Sequence, residues 1–420
     1  MNILYDIAYL FLFVLYAPVL FLKGKLHSGY RMRCGLIPDE IVRKLKGKRT
    51  LWFHAVSVGE VIVLKELVQK LKNNLEGHHA VLTVVTQTGY DVALQHFKED
   101  AVLYAPLDLS LVIRRFIRVI NPKIYIAAET EIWPNLYRKL SRHGVPIVQV
   151  NGRISDKSFK GYKRAARLTQ RILRKIDMFC MQSDLDARRI IEIGASADKV
   201  HVIGNIKFDN LDQGGEVNKT ELGYAKSDAI FIAGSTHPGE EEIVLRVFED
   251  CQGRKQDLRL IISPRHIERV DHVCESVRSA GMKPKVLSDL KTKPLKTDEV
   301  LVVNEIGVLR DLYSIADYVF IGKTLTVGGG QNMIEPASYG KPVLTGPLTA
   351  NFKDVMRIFL AEDAIIQVED EKGLLAGLHG LIEEPTRREQ LGKKARAVVE
   401  KYQGATDRTL ELILPLVVPS

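Results

Sequence analysis

Tyr318-Val-Phe-Ile-Gly322 is a short apolar run, and Gly328-Gly-Gly-Gln-Asn-Met-Ile-Glu335-Pro336 follows it, with Pro342-Val-Leu-Thr345 soon after. The order reads as a strand, a glycine loop, a short helical pattern ending at Gly340, and a second buried strand. That is one βαβ unit of a parallel sheet. Glycines let a backbone come close to a phosphate or sugar, and a helix start offers N–H groups to an anion. A carboxylate just after them suits a pair of ribose hydroxyls. A plain βα turn with Glu335 near a helix N-terminus is the simpler alternative, since the helix dipole favours an acid there.

The same alternation extends in both directions. Upstream, Thr50–His54, Ala80–Val85, Ile124–Ala128, Val145–Val150, Met178–Met181 and Val200–Ile203 read as strands, and Val61–Leu71 as an amphipathic helix. A polar stretch, Asp209–Ser227, interrupts the pattern. It restarts with Ala229–Ala233, Leu258–Ile262, Val300–Val303, Tyr318–Ile321 and Val343–Leu344. Two Rossmann-like α/β halves joined near residue 215 follow, with ligands at the carboxyl ends of the strands and a cleft between the halves. The expected boundaries are an N-terminal anchor at 1–22, a first domain at 23–212, a second at 213–400, and a C-terminal helix at 401–420 that packs back across the domains. Thr386–Leu414 has helical spacing with a break at Gly404.

With 420 residues, 46% hydrophobic and 26% charged, the chain has the composition of a globular protein of two ordinary domains. The formal charge of +9 suits an anionic partner or surface. Its scatter along the chain, without an aromatic-rich RNA-binding signature, argues against nucleic acid. Cys34, Cys180, Cys251 and Cys274 show no C-x-x-C pairing, which fits a reducing compartment and neither a disulfide framework nor a zinc site. Ile7–Leu22 is sixteen residues without a charge, preceded by Asp6 and followed by Lys23, Lys25, Arg31 and Arg33. A helix of that length spans ~24 Å, short of a hydrocarbon core of roughly 30 Å. Basic residues after the run, not before it, favour an uncleaved anchor over a signal peptide, with the body on the cytoplasmic face against anionic lipid. A buried core helix is the alternative.

Chemistry-bearing clusters stand just after the strands. His54-Ala-Val-Ser-Val-Gly-Glu60 contains Ser57-x-x-Glu60, which reads as a capping box or as a general base at a helix start. The helix N-terminus would keep such a carboxylate charged but weaken it as a base. Glu129-Thr-Glu131-Ile-Trp-Pro-Asn135 places two carboxylates two residues apart after a strand. Asn151-Gly-Arg-Ile-Ser155 and Gly204-Asn-Ile-Lys207-Phe-Asp209 close the first half, with a surface ion pair as the bland account of Lys207. In the second half Ser235-Thr-His-Pro-Gly-Glu-Glu241 opens a helix, and Ser263-Pro-Arg265-His266 ends a strand with a guanidinium suited to phosphate. Gly322-Lys-Thr lacks the upstream glycine of a P-loop, Asp184-Leu-Asp186 reads as capping behind Ser183, and no zinc-type spacing occurs.

In this order, H-A-V-S-V-G-E, E-T-E-I-W-P-N, N-G-R-I-S, G-N-I-K-F-D, S-T-H-P-G-E-E, S-P-R-H and G-G-Q-N-M-I-E-P resemble the 3-deoxy-D-manno-octulosonic acid (Kdo) transferases, over nearly the whole chain. Each motif alone is weak; seven in sequence are specific. The resemblance implies a GT-B glycosyltransferase, metal-independent and without cofactor, anchored on the cytoplasmic face of the inner membrane. It would transfer Kdo from CMP-Kdo to the lipid A precursor with inversion, in lipopolysaccharide biosynthesis. By the same resemblance Glu60 matches the catalytic base, and Glu129 and Lys207 match residues that stabilise the transition state. Arg265, His266 and the backbone at Ile306, Gly307 and Val308 match CMP contacts. Asn332, Met333, Ile334 and Glu335 match the nucleotide loop, with Glu335 on the ribose. Departures fall at Gln331, Met333-Ile334, Gly322-Lys323, Val308 and Met32. The rival readings are another GT-B enzyme or a sugar-nucleotide epimerase using a UDP-sugar, and a membrane-tethered nucleotide-sugar-binding protein without catalysis.

Overall fold

The computed structural model describes residues 2–22, 29–209, 214–291, 295–296 and 298–417. The chain forms two compact units, Met1–Asn210 with Gln403–Ser420, and Leu211–Tyr402. Lys23, Lys25 and the expected joint at 212–213 lie outside the described residues.

The first unit carries β1 (Arg49–Ala55), β2 (His78–Val84), β3 (Ala101–Tyr104), β4 (Pro122–Ala128), β5 (Ile147–Gly152), β6 (Met178–Met181) and β7 (Val200–Val202), in the order β3-β2-β1-β4-β5-β6-β7. The second carries β8 (Ala229–Thr236), β9 (Leu258–Pro264), β10 (Lys283–Val286), β11 (Glu299–Val302), β12 (Tyr318–Ile321), β13 (Val343–Thr345) and β14 (Ile366–Gln367), in the order β10-β11-β9-β8-β12-β13-β14. The strand pairs run parallel, for example β1 with β2 and β4, and β8 with β9 and β12. Every strand read from the sequence is present. β3, β10 and β14 were not legible, and each is the outermost strand of its sheet. An edge strand is short and tolerates charge and proline, as Lys283-Pro-Lys-Val286 shows, so its apolar pattern is weak.

Both sheets are covered on both faces. Alternate residues of β1 enter two different cores: Trp52 packs with Phe116, Tyr125 and Tyr137, while Leu51 and Phe53 pack with Leu64, Leu67, Ile124 and Ile126. The second core also takes Ala405 and Ile413, so the C-terminal helix Ala405–Val417 closes one face of the first unit. Gly404, at φ 87°, makes the break from Pro385–Tyr402 that the sequence places there. Asp209 holds this return, its carboxylate accepting from the Gly404 N–H at 2.6 Å and the Thr406 N–H at 2.5 Å.

The N-terminal helix, Asn2–Leu22, includes the apolar run, and Ile7, Phe11, Leu12, Val14 and Leu15 are exposed on it. Among the described residues no helix is long and apolar enough to cross a membrane. The start of this helix is fastened to the body. Asp6 Oδ1 accepts from the Ser110 N–H at 3.1 Å and the Asn135 amide at 2.6 Å. Tyr5 donates its hydroxyl to Asp108 Oδ2 at 2.9 Å, and the same buried carboxylate accepts from the Asn135 and Leu136 N–H groups at 3.0 and 2.9 Å. Asp108 therefore joins the N-terminal helix to the start of the helix Pro134–Arg142, although burial pushes its carboxyl up to about 6. Arg33, read from the sequence as facing lipid, is instead buried, with Nε on the Ala105 carbonyl at 3.1 Å and its guanidinium over the Tyr30 ring. Asp108→Ala leaves two helix N–H groups and a phenol without their acceptor. It is expected to lower stability by about 3 kcal/mol, read as a fall in the denaturant midpoint. An unchanged midpoint would show that this junction carries no weight.

Candidate active site

β1 and β4 lie side by side, with His54 opposite Ala127, so the segments leaving their carboxyl ends emerge together. From β1 the chain turns at Ser57 into the helix Val58–Asn74, whose first turn carries Glu60. The expected capping box is half made. The Ser57 side chain caps no backbone N–H; its hydroxyl donates to Glu60 Oε1 at 3.0 Å, while Glu60 Oε2 accepts from the Val56 N–H at 2.7 Å. Glu60 is 7% exposed. Burial pushes its carboxyl up to about 7, and the charges of Glu129 and Glu131 add to the rise. The sequence reading of a base weakened by its helix N-terminus is thus reversed, because desolvation of the carboxylate outweighs the donors it receives. His54, on β1 itself, is a buried neutral ring held down to about 3 by burial. The Thr83 hydroxyl donates to the Phe53 carbonyl, so its oxygen is the acceptor for His54 Nδ1 at 3.0 Å.

After β4, Glu129 sits at φ 56°, its N–H on the Val150 carbonyl at 2.9 Å and its carboxylate 3.9 Å from the Arg153 guanidinium. Glu131 is half-buried, and desolvation pushes its carboxyl up to about 7, with the Glu129 charge contributing. Asn151, at φ 53°, accepts the Ile206 N–H on Oδ1 at 3.1 Å, and Asn205 Oδ1 accepts the Lys207 N–H at 3.0 Å. Those contacts fix the short turn Ile206–Phe208 that carries Lys207. Asp209 faces the C-terminal helix, so the neighbouring acid suggested for Lys207 has another task. Asp186 Oδ1 accepts the Ile154 N–H at 2.8 Å, which gives the D-x-D segment a structural role beside Arg153. Glu60, Glu129, Glu131 and Arg153 thus share one edge of the first unit, with Lys207 tied to it through Asn151. Sequence reasoning gave no role to Arg153 or Glu131, although both lie inside motifs it singled out.

In the second unit, register sets Gly234 of β8 beside Ser263 of β9 and Ile321 of β12. Glu240 is fully buried and accepts four backbone N–H groups: His237 at 2.9 Å, Lys323 at 2.7 Å, Thr324 at 2.8 Å and Leu325 at 3.0 Å. It anchors the loop after β12. Glu241 holds Arg269 through two nitrogens and accepts the Thr236 hydroxyl. Arg265 and His266 are exposed just beyond β9, with the His266 ring edge-on to His237 at 5.7 Å. Ile306 is 84% exposed, and Gly307 turns at φ 92° ahead of Val308 and the helix Leu309–Leu312.

The glycine loop differs from the open phosphate cradle that its composition predicts. Gly329 donates to the Leu348 carbonyl and Gly330 to the Lys323 carbonyl, both at 2.9 Å, while Asn351 donates to the Gly329 carbonyl at 2.8 Å. These glycines permit a folded loop, at φ 129° and 74°. The Met333 and Ile334 side chains are fully buried, which leaves their backbone as the part able to meet a ligand. Asn332 donates to Glu335 Oε1 at 3.0 Å and accepts the Ile334 N–H at 3.1 Å, so it aims the carboxylate read as the ribose partner. Lys323 stands at φ 62°, a left-handed position that favours glycine. Among the described residues no group of three His, Cys, Asp or Glu side chains is placed to hold a metal ion.

A family model for 3-deoxy-D-manno-octulosonic-acid transferase (kdotransferase) matches residues 28–210. A bifunctional glycosyltransferase/methyltransferase of Fusobacterium nucleatum subsp. nucleatum is 34% identical over 90% of this chain, which spans 58% of that protein's length. The 3-deoxy-D-manno-octulosonic acid transferase of Haemophilus influenzae is 30% identical, over 87% of this chain and 86% of its own. Among solved structures, a UDP-N-acetylglucosamine 2-epimerase homologue from Listeria monocytogenes superposes with a TM-score of 0.58 at 14% identity, covering 88% of this chain and 96% of that one, a likeness of GT-B-like fold alone. The chain belongs to the 3-deoxy-D-manno-octulosonic acid transferase family and is a glycosyltransferase.

Proposed function

We propose that the protein transfers Kdo from CMP-Kdo to a hydroxyl of the lipid A precursor, with inversion and without a metal, working at the cytoplasmic face of the inner membrane. The observation that carries the reading is Glu60, a mostly buried carboxyl held near 7 at a strand end. A base of that strength is matched to neutral pH. Its carboxylate takes the proton of the acceptor hydroxyl while that oxygen bonds to the anomeric carbon of Kdo. The bond from that carbon to the CMP phosphate oxygen breaks, and CMP leaves with the electron pair. Lys207 and Glu129 stabilise the transition state, Arg265 and His266 hold the phosphate, and Glu335 the ribose. The exposed apolar face of the N-terminal helix, with Arg31 exposed beyond it, supports membrane attachment.

Glu60→Gln keeps the size of the side chain and an oxygen for the Val56 N–H. The variant is expected to fold and to bind CMP while Kdo transfer falls by about 10²–10⁴. In the parent protein kcat/KM should rise with pH through about 7, as Glu60 loses its proton, and level off above. Near-normal transfer by E60Q, or a profile flat across neutrality, would remove Glu60 as the base.

Glu335→Ala and Arg265→Ala should each weaken CMP roughly ten- to a hundredfold, the loss expected for one hydrogen bond to a charged group. UDP titrated in parallel separates this donor from the UDP-sugar alternative. Unchanged CMP affinity in both variants would contradict the nucleotide assignment.

A form starting at Gly35 should sediment with anionic vesicles much less than the full chain does. Equal partition of the two would end the anchor reading.

A further inference from the structure

We propose that Lys323 is a further cation for the phosphate of the nucleotide donor, standing across the end of β8 from His266. The inference rests on the reading of Arg265 and His266 as phosphate contacts and adds a residue to them.

Strand order fixes its place. β8 lies between β9 and β12, so His237, the pair Arg265 and His266, and Lys323 leave the sheet at neighbouring carboxyl ends. On one side the Arg265 N–H donates to the Thr236 carbonyl at 3.0 Å, which ties the exit of β9 to that of β8. On the other side Glu240 Oε2 accepts from both the His237 N–H at 2.9 Å and the Lys323 N–H at 2.7 Å, so these two backbones meet at one oxygen. Gly322 permits the approach, since a Cβ there would stand 2.6 Å from the Ser235 carbonyl oxygen and from Thr236 Cα. Thr326 closes the loop by donating its hydroxyl to the Pro238 carbonyl at 2.8 Å. The His237 ring stands edge-on to His266 at 5.7 Å, so the row runs from His266 through His237 to Lys323. Burial lowers the pKa of His237 and the Lys323 charge adds to the fall, which leaves that ring neutral between the two.

The Lys323 side chain runs along the glycine loop, its Cε 3.2 Å from the place a Cβ on Gly329 would occupy. It is half-buried, yet among the described residues its ammonium has neither an acidic partner nor a hydrogen-bond acceptor. Glu240 cannot serve it, because that carboxylate is already filled by backbone N–H groups. The backbone beneath sits at φ 62°, which glycine takes freely and an L-residue takes only at a cost. The side chain therefore gives the fold no polar contact to offset that cost. A phosphate oxygen accepting from its ammonium would supply one, as a charge-assisted hydrogen bond.

The test uses the full-length protein with CMP and cytidine as probes, comparing wild type, Lys323→Gly, Lys323→Gln, Lys323→Arg and Arg265→Ala. K323G and K323Q should each bind CMP about tenfold more weakly, the loss of one hydrogen bond to a charged group. Cytidine has no phosphate and should bind both variants as it binds wild type. K323R keeps the charge and should hold CMP more tightly than K323Q does. The thermal midpoint of K323G should not fall, because glycine adopts the turn without strain. Unchanged CMP affinity in K323G and K323Q overturns the proposal. An equal loss for cytidine overturns it too, by showing the shape of the loop at work and not the phosphate. So does a loss confined to the KM for CMP-Kdo, which would put the ammonium on the carboxylate of the sugar. A wild-type protein that does not bind CMP would remove the nucleotide reading and this proposal with it. Weakened CMP binding by R265A, beside normal binding by K323G and K323Q, would remove only the part of Lys323.

Discussion

The structure depends on buried carboxylates that accept backbone N–H groups at the carboxyl edge of two parallel sheets. Where a strand ends and a helix begins, the first N–H groups of the helix have no partner within it. Asp108 takes two of them and a phenol, and half-buried Asp209 takes two where the C-terminal helix follows another helix. Glu240 takes four, three from the loop after β12. Each bond converts a buried charge from a liability into a fastener, since a carboxylate out of water is tolerable only when donors replace its hydration. The same geometry decides which acids remain available for chemistry. Glu60 receives one N–H and one hydroxyl, faces two like charges, and stays near 7. A further donor at that position would make it a better cap and a poorer base.

This explains what the sequence could convey. Interior strands such as Tyr318–Ile321 and Ile124–Ala128 are buried on both faces and written as unbroken apolar runs, so they were legible. The edge strands β3, β10 and β14 have one neighbour each and little pattern. The motifs fall at or just past strand ends, because a strand end followed by Gly, Ser or Glu is a local signal. What each residue does there depended on tertiary burial, which no spacing reports. Ser57-x-x-Glu60 spells a capping box, but burial pushes its carboxyl up to about 7. The second motif, Glu129–Asn135, hides the difference between an acid beside Arg153 and one pushed up to about 7, because Arg153 lies twenty-two residues past Glu131. The glycine loop looked like an open cradle, and Lys323, Leu348 and Asn351 fold it shut.

Backbone strain marks the same edge. Non-glycine residues with positive φ include Glu129 at 56°, Asn151 at 53°, Ser235 at 56° and Lys323 at 62°. All four stand at or just past the carboxyl ends of strands, respectively β4, β5, β8 and β12. An L-residue in that region costs of order 1 kcal/mol or more and persists only where surrounding bonds over-determine it. Those bonds are present: the Glu129 N–H on the Val150 carbonyl, the Ile206 N–H on Asn151 Oδ1, and the Lys323 N–H on Glu240. Asn151 tolerates the conformation through its short polar side chain, but Glu129 and Lys323 have no such advantage. At Lys323 the cost follows from a side chain placed in a left-handed turn that favours glycine. At Glu129 the strained turn reverses the chain directly after β4. Relaxing it would carry Glu129 away from Arg153 and swing Glu131 away from the end of β1. The strain at residue 129 is thus the local cost of holding two acids at one strand end, and the sheet bonds on either side supply the force that holds them.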